Sequence, residues 1–219
     1  MSKTILCLHG YAMNSDWLRQ WLAPIEAALA DRAELIYPQG PIACPEAEVR
    51  AMAKQYQVAV PETRIGSGQN WCWYRATNDK PPAYLQLQET LAYMDRYFSE
   101  NGPIDGVLGW SQGAVMAAVM AALQESDAVY DFGFKWAVLC GGFLPGDPEV
   151  KCFFESQLEL PSLHVLGKKE SEFMQQRGKQ LHAAFRQADL LETPVGHVMP
   201  VQHPGYMLQI ADWMKARLG

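Results

Sequence analysis

The stretch Gly109-Trp110-Ser111-Gln112-Gly113 decides the fold of this chain. It follows a short apolar run at 104–108, which predicts a strand, and precedes an Ala- and Met-rich run at 114–123, which predicts a helix. A G-x-S-x-G pattern between a strand and a helix is typical of a sharp turn that lifts a serine hydroxyl clear of a sheet. Ser111 is therefore a candidate nucleophile, and the alternative is a Gly-rich turn whose serine caps the helix.

Strand-like and helix-like segments alternate on both sides of this stretch. Strands are predicted at 4–8, 34–37, 104–110, 134–140, 162–166 and 190–193, and helices at 17–29, 84–98, 112–124, 171–188 and 205–218. This alternation indicates an α/β fold, with a mostly parallel sheet covered by helices on both faces. In such sheets the active groups gather at the carboxyl ends of the strands.

Residues 42–82 interrupt the alternation and are called the inserted segment. Pro45, Pro61 and Gly66-Ser67-Gly68 break it up, an aromatic cluster follows at 71–75, and only 46–56 suggests a short helix. A connection of about 40 residues far exceeds the usual four to six. We expect a lid or pocket wall inserted into a single domain at 1–219, with a plain surface excursion as the alternative.

Composition disfavours several classes of function. The chain has 219 residues, is 49% apolar and carries a net charge of −6. Because no run of Lys or Arg exceeds two residues, nucleic acid and anionic membrane surfaces are disfavoured as partners. Without a long apolar stretch or a signal peptide, we expect a cytoplasmic protein with no stable membrane insertion. The five cysteines form no C-x-x-C pair, which predicts no disulfide and no metal site.

His197 is the predicted general base for Ser111. It stands in a tight loop after the strand at 190–193, and imidazole is the side chain whose pKa lies nearest neutrality. His203, just before the last helix, is the competing candidate. The other histidines are interpreted as structural: His9 lies in a turn, His164 in a strand and His182 on a helix.

A carboxylate should orient the base, and the chain order of this motif requires it between the serine and the histidine. Glu170 is favoured because it lies three residues past the glycine that ends the strand at 162–166. The alternatives left open are Glu172, Asp147, Glu149 and Asp189.

Backbone N–H groups should hold the oxyanion that forms when the serine attacks a carbonyl. The predicted donors are Gln112, at the start of its helix, and Tyr11, in the loop after the first strand. An apolar pocket for an acyl or alkyl group is predicted around Tyr11, Met13, Trp71, Trp73, Phe143 and Met199. Ordinary core packing is the alternative for each of these residues.

Six motifs then occur in one order along the chain. They are Leu8-His9-Gly10-Tyr11, the cluster at 71–75, Gly109-x-Ser111-Gln112-Gly113-Ala114, Gly141-Gly142-Phe143-x-Pro145, His164-Val165-x-Gly167 and Gly196-His197-x-x-Pro200. Together they resemble the FSH-type serine hydrolases, small α/β-hydrolases that include the ovarian-cancer-associated esterase. The resemblance runs over residues 4–215. The serine and histidine motifs also resemble those of the carboxylesterase and acyl-protein thioesterase group.

The resemblance implies an α/β-hydrolase fold and hydrolysis of carboxylic esters or thioesters, without cofactor or metal. It places the nucleophile on Ser111, the histidine on His197 and the acid on Glu170. The family normally has an aspartate there, and Val195 replaces a second glycine before Gly196. The expected partner is a small-molecule acyl ester. A thioesterase for carrier- or protein-bound acyl chains and a catalytically idle binding module are the alternatives.

Overall fold

The computed structural model describes residues 3–55, 69–126 and 129–219. The described residues form ten strands: β1 (Lys3–Leu8), β2 (Ala33–Ile36), β3 (Ile42–Ala43), β4 (Trp71–Cys72), β5 (Arg75–Ala76), β6 (Tyr84–Leu85), β7 (Gly106–Trp110), β8 (Ala137–Cys140), β9 (Ser162–Gly167) and β10 (Ala188–Thr193). The α-helices are α1 (Ser15–Leu29), α2 (Glu46–Gln55), α3 (Leu87–Asn101), α4 (Gln112–Glu125), α5 (Pro148–Lys151), α6 (Glu172–Ala183) and α7 (Pro204–Lys215).

Six of the described strands form one parallel sheet, in the order β10-β9-β8-β7-β1-β2. Strand β1 pairs with β2 on one side and with β7 on the other. The chain therefore reverses its direction of growth across the sheet between β1 and β7. At such a switch point the loops diverge and leave a crevice at the carboxyl ends of the strands. The loop after β1 and the turn at Ser111 after β7 both lie there.

Alternate strand residues fill two hydrophobic cores, one on each face of the sheet. In β1, Leu6 and Leu8 pack in the core that contains α3 and α4, whereas Ile5 and Cys7 pack in the core that contains α1 and α7. Helix α4 is buried along residues 112–123, which explains its small Ala and adaptable Met residues in place of an amphipathic pattern. The predicted α/β fold, with helices on both faces of a mostly parallel sheet, is confirmed.

Two glycines allow α4 to lie directly against the strands. A Cβ on Gly113 would lie 2.2 Å from the carbonyl oxygen of Leu8, and a Cβ on Gly109 would lie 2.3 Å from the carbonyl oxygen of Gly113. Between them Ser111 has a φ of 52° and a ψ of −114°, which is unfavourable for a residue with a side chain. The turn thus concentrates its backbone strain on the serine.

The helix predicted at 84–98 begins later in the structure, at Leu87. Its first two predicted residues form β6, which pairs antiparallel with β5. Gln86 follows with a φ of 62°, a left-handed conformation that separates the strand from the helix.

The boundary between α6 and β10 is also wrong in the prediction. The helix predicted over 171–188 ends at Ala183. The following strand is longer than predicted because β10 pairs with β9 along all six of its residues. Asp189, interpreted as a turn residue, therefore lies inside β10 opposite Leu163.

The inserted segment contains regular structure on both sides of residues 56–68, which lie outside the described residues together with Pro61 and the Gly66-Ser67-Gly68 run. Strand β3 pairs antiparallel with β4, and α2 lies between them in the chain. Met13 and Trp71 exchange two backbone hydrogen bonds of 3.2 and 2.8 Å, which join the segment to the chain just after β1. Its role as a lid and the single-domain organisation stay predictions.

Within the described ranges, no helix combines the length and the apolar character that crossing a bilayer requires.

Candidate active site

Ser111 lies where β7 passes directly into α4. Its N–H donates to the carbonyl of Cys140 at 2.8 Å, and its own carbonyl accepts from the N–H groups of Ala114 and Val115 at 3.0 and 3.1 Å. These bonds fix the main chain on both sides of the turn. The side-chain Oγ is left to bond elsewhere, and it lies 2.8 Å from Nε2 of His197.

His197 lies in the loop after β10 and bridges a hydroxyl and a carboxylate. Its Nδ1 is 3.1 Å from Oε2 of Glu170. An ionised carboxylate can only accept a hydrogen bond, so this contact assigns the proton to Nδ1 and leaves Nε2 free to accept the proton of Ser111. The ring also packs on Trp110, with centroids 4.9 Å apart.

The Glu170 carboxylate is shielded from solvent, with 4% of its side chain exposed. Oε1 accepts from the N–H of Gly167 at 3.2 Å. The backbone is fixed as well, since the Glu170 N–H donates to the Gly167 carbonyl at 3.1 Å and its carbonyl accepts from Gln175 Nε2 at 2.8 Å. The glutamate therefore reaches His197 although its side chain is one methylene longer than that of aspartate.

The two loops that carry the carboxylate and the histidine are bonded to each other. Lys168 N–H donates to the carbonyl of Thr193 at 2.8 Å, and Lys169 N–H donates to that of Val195 at 2.9 Å. A Cβ on Gly167 would lie 2.4 Å from the carbonyl oxygen of Gly196. These contacts continue the pairing of β9 and β10 beyond the sheet and fix the spacing between Glu170 and His197.

The alternative carboxylates have other surroundings. Asp147 caps α5 by accepting from the N–H of Glu149 at 2.9 Å, and Asp189 accepts from the indole N–H of Trp213 at 2.6 Å. Glu149 and Glu172 are exposed in the first turns of their helices. In the part of the chain that the structure describes, none of these four lies within hydrogen-bond distance of the base.

The other histidines also differ from His197. His9 is buried, and its Nε2 accepts from the N–H of Gly40 at 2.9 Å. His164 lies inside β9, where burial, with a smaller effect of His182, lowers its pKa to about 3. His203 precedes α7 and is exposed.

The loop His9-Gly10-Tyr11, called the oxyanion loop after its predicted role, lies against the turn at Ser111, called the nucleophile turn for the same reason. A Cβ on Gly10 would lie 2.9 Å from Cδ1 of Trp110 and 3.5 Å from Cβ of Ser111. Among the described residues, the N–H groups of Tyr11 and Gln112 have no protein acceptor. Gln112 begins α4, where unpaired N–H groups and the helix dipole favour negative charge. Both predicted donors therefore have no competing acceptor among the described residues.

With this geometry in place, comparison with known proteins decides the family. The family model described as "Serine hydrolase (FSH1)" matches residues 1–207. The chain belongs to this family of serine hydrolases.

Individual proteins show the extent of the similarity. "Esterase OVCA2" of Danio rerio is 30% identical over 204 residues, which cover 90% of this chain and 89% of that protein. A Schizosaccharomyces pombe protein named "Dihydrofolate reductase" is 31% identical over 96% of this chain, but the chain covers only 46% of that protein. The Zea mays acyl-protein thioesterase 2 structure superposes with a TM-score of 0.65 at 20% identity, covering 100% of this chain and 94% of that one. The predicted α/β-hydrolase fold and the serine-esterase type of enzyme are confirmed.

The predicted pocket residues of this FSH1 hydrolase fall into two groups. Tyr11, Trp71 and Phe143 are partly exposed. Met13, Trp73 and Met199 are buried, with Trp73 at 0% exposure, so core packing, the alternative considered for each, describes these three in this structure. Trp73 packs inward because its indole N–H donates to the carbonyl of His9 at 2.7 Å and its ring lies 4.9 Å from the His9 ring.

The side chain of Gln112 has a role that sequence reasoning missed. Its Oε1 accepts from the N–H of Trp73 at 2.9 Å, and its Nε2 donates to the carbonyl of Tyr74 at 2.7 Å. The side chain of Gln112, the residue that follows Ser111, therefore joins the start of α4 to the inserted segment. The G-x-S-x-G pattern leaves this position variable, so the amide itself was the only available signal.

The phenol of Tyr11 is also held by the inserted segment. Its hydroxyl donates to Glu48 of α2, and Arg75 of β5 pairs with the same carboxylate. Burial and the hydrogen bond to Glu48 raise the pKa of Tyr11 above its ordinary value, so the phenol stays protonated as the donor. Sequence reasoning found neither Glu48 nor Arg75, because nothing in their spacing links them to residue 11.

Among the described residues, no group of three or more His, Cys, Asp or Glu side chains could hold a metal ion.

Proposed function

We propose that this chain hydrolyses carboxylic esters with apolar acyl or alkyl groups through an acyl-enzyme on Ser111, with His197 as general base and Glu170 as the acid of the triad. One observation carries the proposal. Ser111 Oγ lies 2.8 Å from His197 Nε2, and His197 Nδ1 lies 3.1 Å from Glu170 Oε2. This is the hydrogen-bond order that a serine nucleophile needs for activation.

In the first half of the reaction, Ser111 Oγ attacks the carbonyl carbon and its proton passes to His197 Nε2. The carbonyl oxygen becomes an oxyanion, which accepts hydrogen bonds from the N–H groups of Tyr11 and Gln112. Glu170 keeps the imidazole in the required tautomer and stabilises the imidazolium while it carries both protons. The strained turn and its close-packed glycines keep the hydroxyl in position for this attack.

In the second half, the imidazolium of His197 protonates the leaving alcohol as the bond between the carbonyl carbon and that oxygen breaks. Water then gives a proton to His197 and attacks the acyl carbon. When the second oxyanion collapses, the proton returns to Ser111 and the carboxylic acid leaves. Apart from this one water molecule, no group outside the chain and the ester is needed to balance the reaction.

Two partly exposed aromatic residues favour an apolar substrate. Trp71 and Phe143, both partly exposed, belong to the inserted segment and to the turn after β8, and aromatic walls are typical of sites for acyl or alkyl groups. We infer that the inserted segment forms one wall of the cleft within a single domain. The free thiols of all five cysteines agree with work in the reducing cytoplasm.

A thioesterase is the second candidate. A thiolate leaves more readily than an alkoxide, and the same serine, histidine and oxyanion donors would serve. The fold of the Zea mays acyl-protein thioesterase 2 structure, with its TM-score of 0.65, supports keeping this candidate. An idle binding module is disfavoured. Its only support was that position 170 has glutamate in place of the family's aspartate, and the Glu170 carboxylate lies at hydrogen-bond distance from His197.

A fluorophosphonate probe tests the proposal, since it reacts with an activated serine. The wild-type protein and Ser99→Ala, an exposed serine on α3, should be labelled, and Ser111→Ala should not. Labelling of Ser111→Ala at the wild-type level would overturn the assignment of the nucleophile, and an unlabelled wild type would overturn the proposed hydrolysis.

Substrate class is tested by kcat/KM for p-nitrophenyl esters of increasing chain length and for acyl thioesters of the same chains. The proposal expects the esters to be the better substrates and the apolar chains to be preferred over acetate. Faster turnover of every thioester than of its matched ester would select the thioesterase instead.

A further inference from the structure

We propose that the inserted segment assembles the oxyanion site, with Glu48 as the positioning residue that holds Tyr11 and its backbone N–H against the nucleophile turn. The inference rests on the proposed function, because it assigns a use to the Tyr11 amide. It adds a residue from outside the triad, on a helix whose relation to the site the sequence does not indicate.

The central contact joins three side chains. The Tyr11 hydroxyl donates to Oε1 of Glu48. Arg75 Nε donates to both carboxylate oxygens, at 3.1 and 3.2 Å. The carboxylate therefore accepts from a phenol on one side and from a guanidinium on the other, which fixes its orientation more firmly than either partner would alone.

Arg75 is itself anchored at its other nitrogens. Nη1 donates to Oε1 of Gln86 and Nη2 donates to the carbonyl of Ala43, each at 2.5 Å. A guanidinium presents its donors in a rigid plane, so these two contacts determine where Nε lies. Arg75 thus fixes the position of Glu48 relative to β3 and to Gln86, the residue before α3. Glu48 in turn fixes the position of the Tyr11 phenol.

The shielding of the pair makes it more effective than a surface ion pair. The side chains of Arg75 and Glu48 are 29% and 30% exposed, compared with 46% and 52% for Arg50 and Glu46 on the same helix as Glu48. Exposed pairs contribute little, because water and flexible side chains weaken them. The pair of Glu46 and Arg50 therefore provides a matched control that lies on α2 and does not touch Tyr11.

The oxyanion loop has a reason to need this support. Gly10 is packed against the nucleophile turn, and Ala12, on the other side of Tyr11, has a φ of 49°. A left-handed alanine is strained and persists only where the surroundings hold it. Without the phenol anchor, relaxation at Ala12 would turn the adjacent peptide unit and move the Tyr11 N–H away from the position of the oxyanion.

A displaced oxyanion donor has a recognisable kinetic effect. The oxyanion exists in the transition state and not in the bound ester, so its donors act on kcat more than on KM. Removing one donor costs about 100- to 1,000-fold in kcat in other hydrolases. Displacement of a donor that is still present should cost less, and we expect a loss of about 10- to 100-fold.

The test compares Tyr11→Phe, Glu48→Ala and the double variant with the control Glu46→Ala. We measure kcat, KM, the rate of fluorophosphonate labelling and Tm for each. The two single variants should each lose about 10- to 100-fold in kcat with KM little changed, and the double variant should lose no more than the worse single variant, since both act through one contact. Glu48→Gln should recover part of the rate, because its amide oxygen still accepts from the phenol.

Several results would overturn the inference. The inference fails if both single variants keep the wild-type kcat. It also fails if the losses in kcat of the two single variants multiply in the double variant. A fall in kcat that tracks Tm, and is equally large in Glu46→Ala, would show a structural effect only. Failure of the proposed function is separable: activity in Ser111→Ala would remove the triad, whereas an inactive Ser111→Ala beside a wild-type Glu48→Ala would remove this inference alone.

Discussion

The carboxyl edge of the parallel sheet and the inserted segment contribute to the site in different ways. At the sheet edge, backbone pairing over four to six residues per strand determines where the loops of Ser111, Glu170 and His197 begin. The inserted segment has only two-residue strands among its described residues. It is joined to the site by side-chain hydrogen bonds, such as those of Gln112 on α4 and of its own Glu48. Strand register thus places Ser111, Glu170 and His197, whereas individual hydrogen bonds place the proposed oxyanion donors.

The largest effect is expected where the sheet and α4 meet. In Gly113→Ala the new methyl group would lie 2.2 Å from the carbonyl oxygen of Leu8, and the backbone of Leu8 cannot move without disturbing the pairing of β1 with β7. We expect a loss of more than about 4 kcal/mol in the free energy of unfolding, measured by urea denaturation. Gly205→Ala is the control, since its new methyl group would meet no described residue within 4 Å apart from its chain neighbours and the backbone of its own helix. Equal stability of both variants would show that the close approach does not matter.

The second effect tests the sheet edge as the source of the triad. Glu170→Gln keeps the size of the side chain but no longer favours the His197 tautomer that carries its proton on Nδ1. We therefore expect kcat/KM to fall by about 100- to 10,000-fold. Glu172→Gln, two residues away and exposed, should stay within a factor of about two of wild type. Equal losses in the two variants would contradict the assignment of the acid.

The third effect tests the link between the two regions. Gln112→Leu leaves the N–H of Trp73 and the carbonyl of Tyr74 without their partner in a buried site. We expect the free energy of unfolding to fall by about 2 to 4 kcal/mol, compared with a negligible change for the exposed Gln180→Leu on α6. If the two variants unfold at the same urea concentration, the amide does not hold the inserted segment to α4.

The smallest effect comes from the sheet interior, away from the site. Burial lowers the pKa of His164 to about 3, so between that value and about 6.5 the unfolded chain binds a proton that the folded chain does not. Stability must therefore fall as the pH falls through this window, by about 2 kcal/mol from pH 7 to pH 5. His164→Gln should lose this component when urea unfolding is compared at the two pH values. An unchanged pH dependence in the variant would assign the effect to other groups.

The sequence predicted the sheet edge well because its signals are local. Continuous apolar runs mark the buried strands, and the strained turn at Ser111 needs glycines that appear in the pattern itself. The order of Ser111, Glu170 and His197 follows from the same alternation of strands and helices. The later start of the helix at Leu87 was missed, because pairing of β6 with β5 overrides the helical periodicity there.

The inserted segment was predicted less well because its structure depends on distant partners. Trp73 has the composition of a pocket wall, but a hydrogen bond to the carbonyl of His9 turns it into the core. Glu48 and Arg75 are ordinary charges in the sequence and acquire a role only when β3, β5 and the oxyanion loop come together. Such contacts between residues far apart in the chain leave no periodic signal.

The most direct test of the triad is to trap the acyl-enzyme. Excess p-nitrophenyl ester is mixed with the protein, the reaction is quenched in acid, and the acylated peptide is identified by mass spectrometry. We expect one acyl group per chain, on the peptide that contains Ser111, and none in Ser111→Ala. An acyl group on another residue, or unchanged ester turnover by Ser111→Ala, would contradict this expectation.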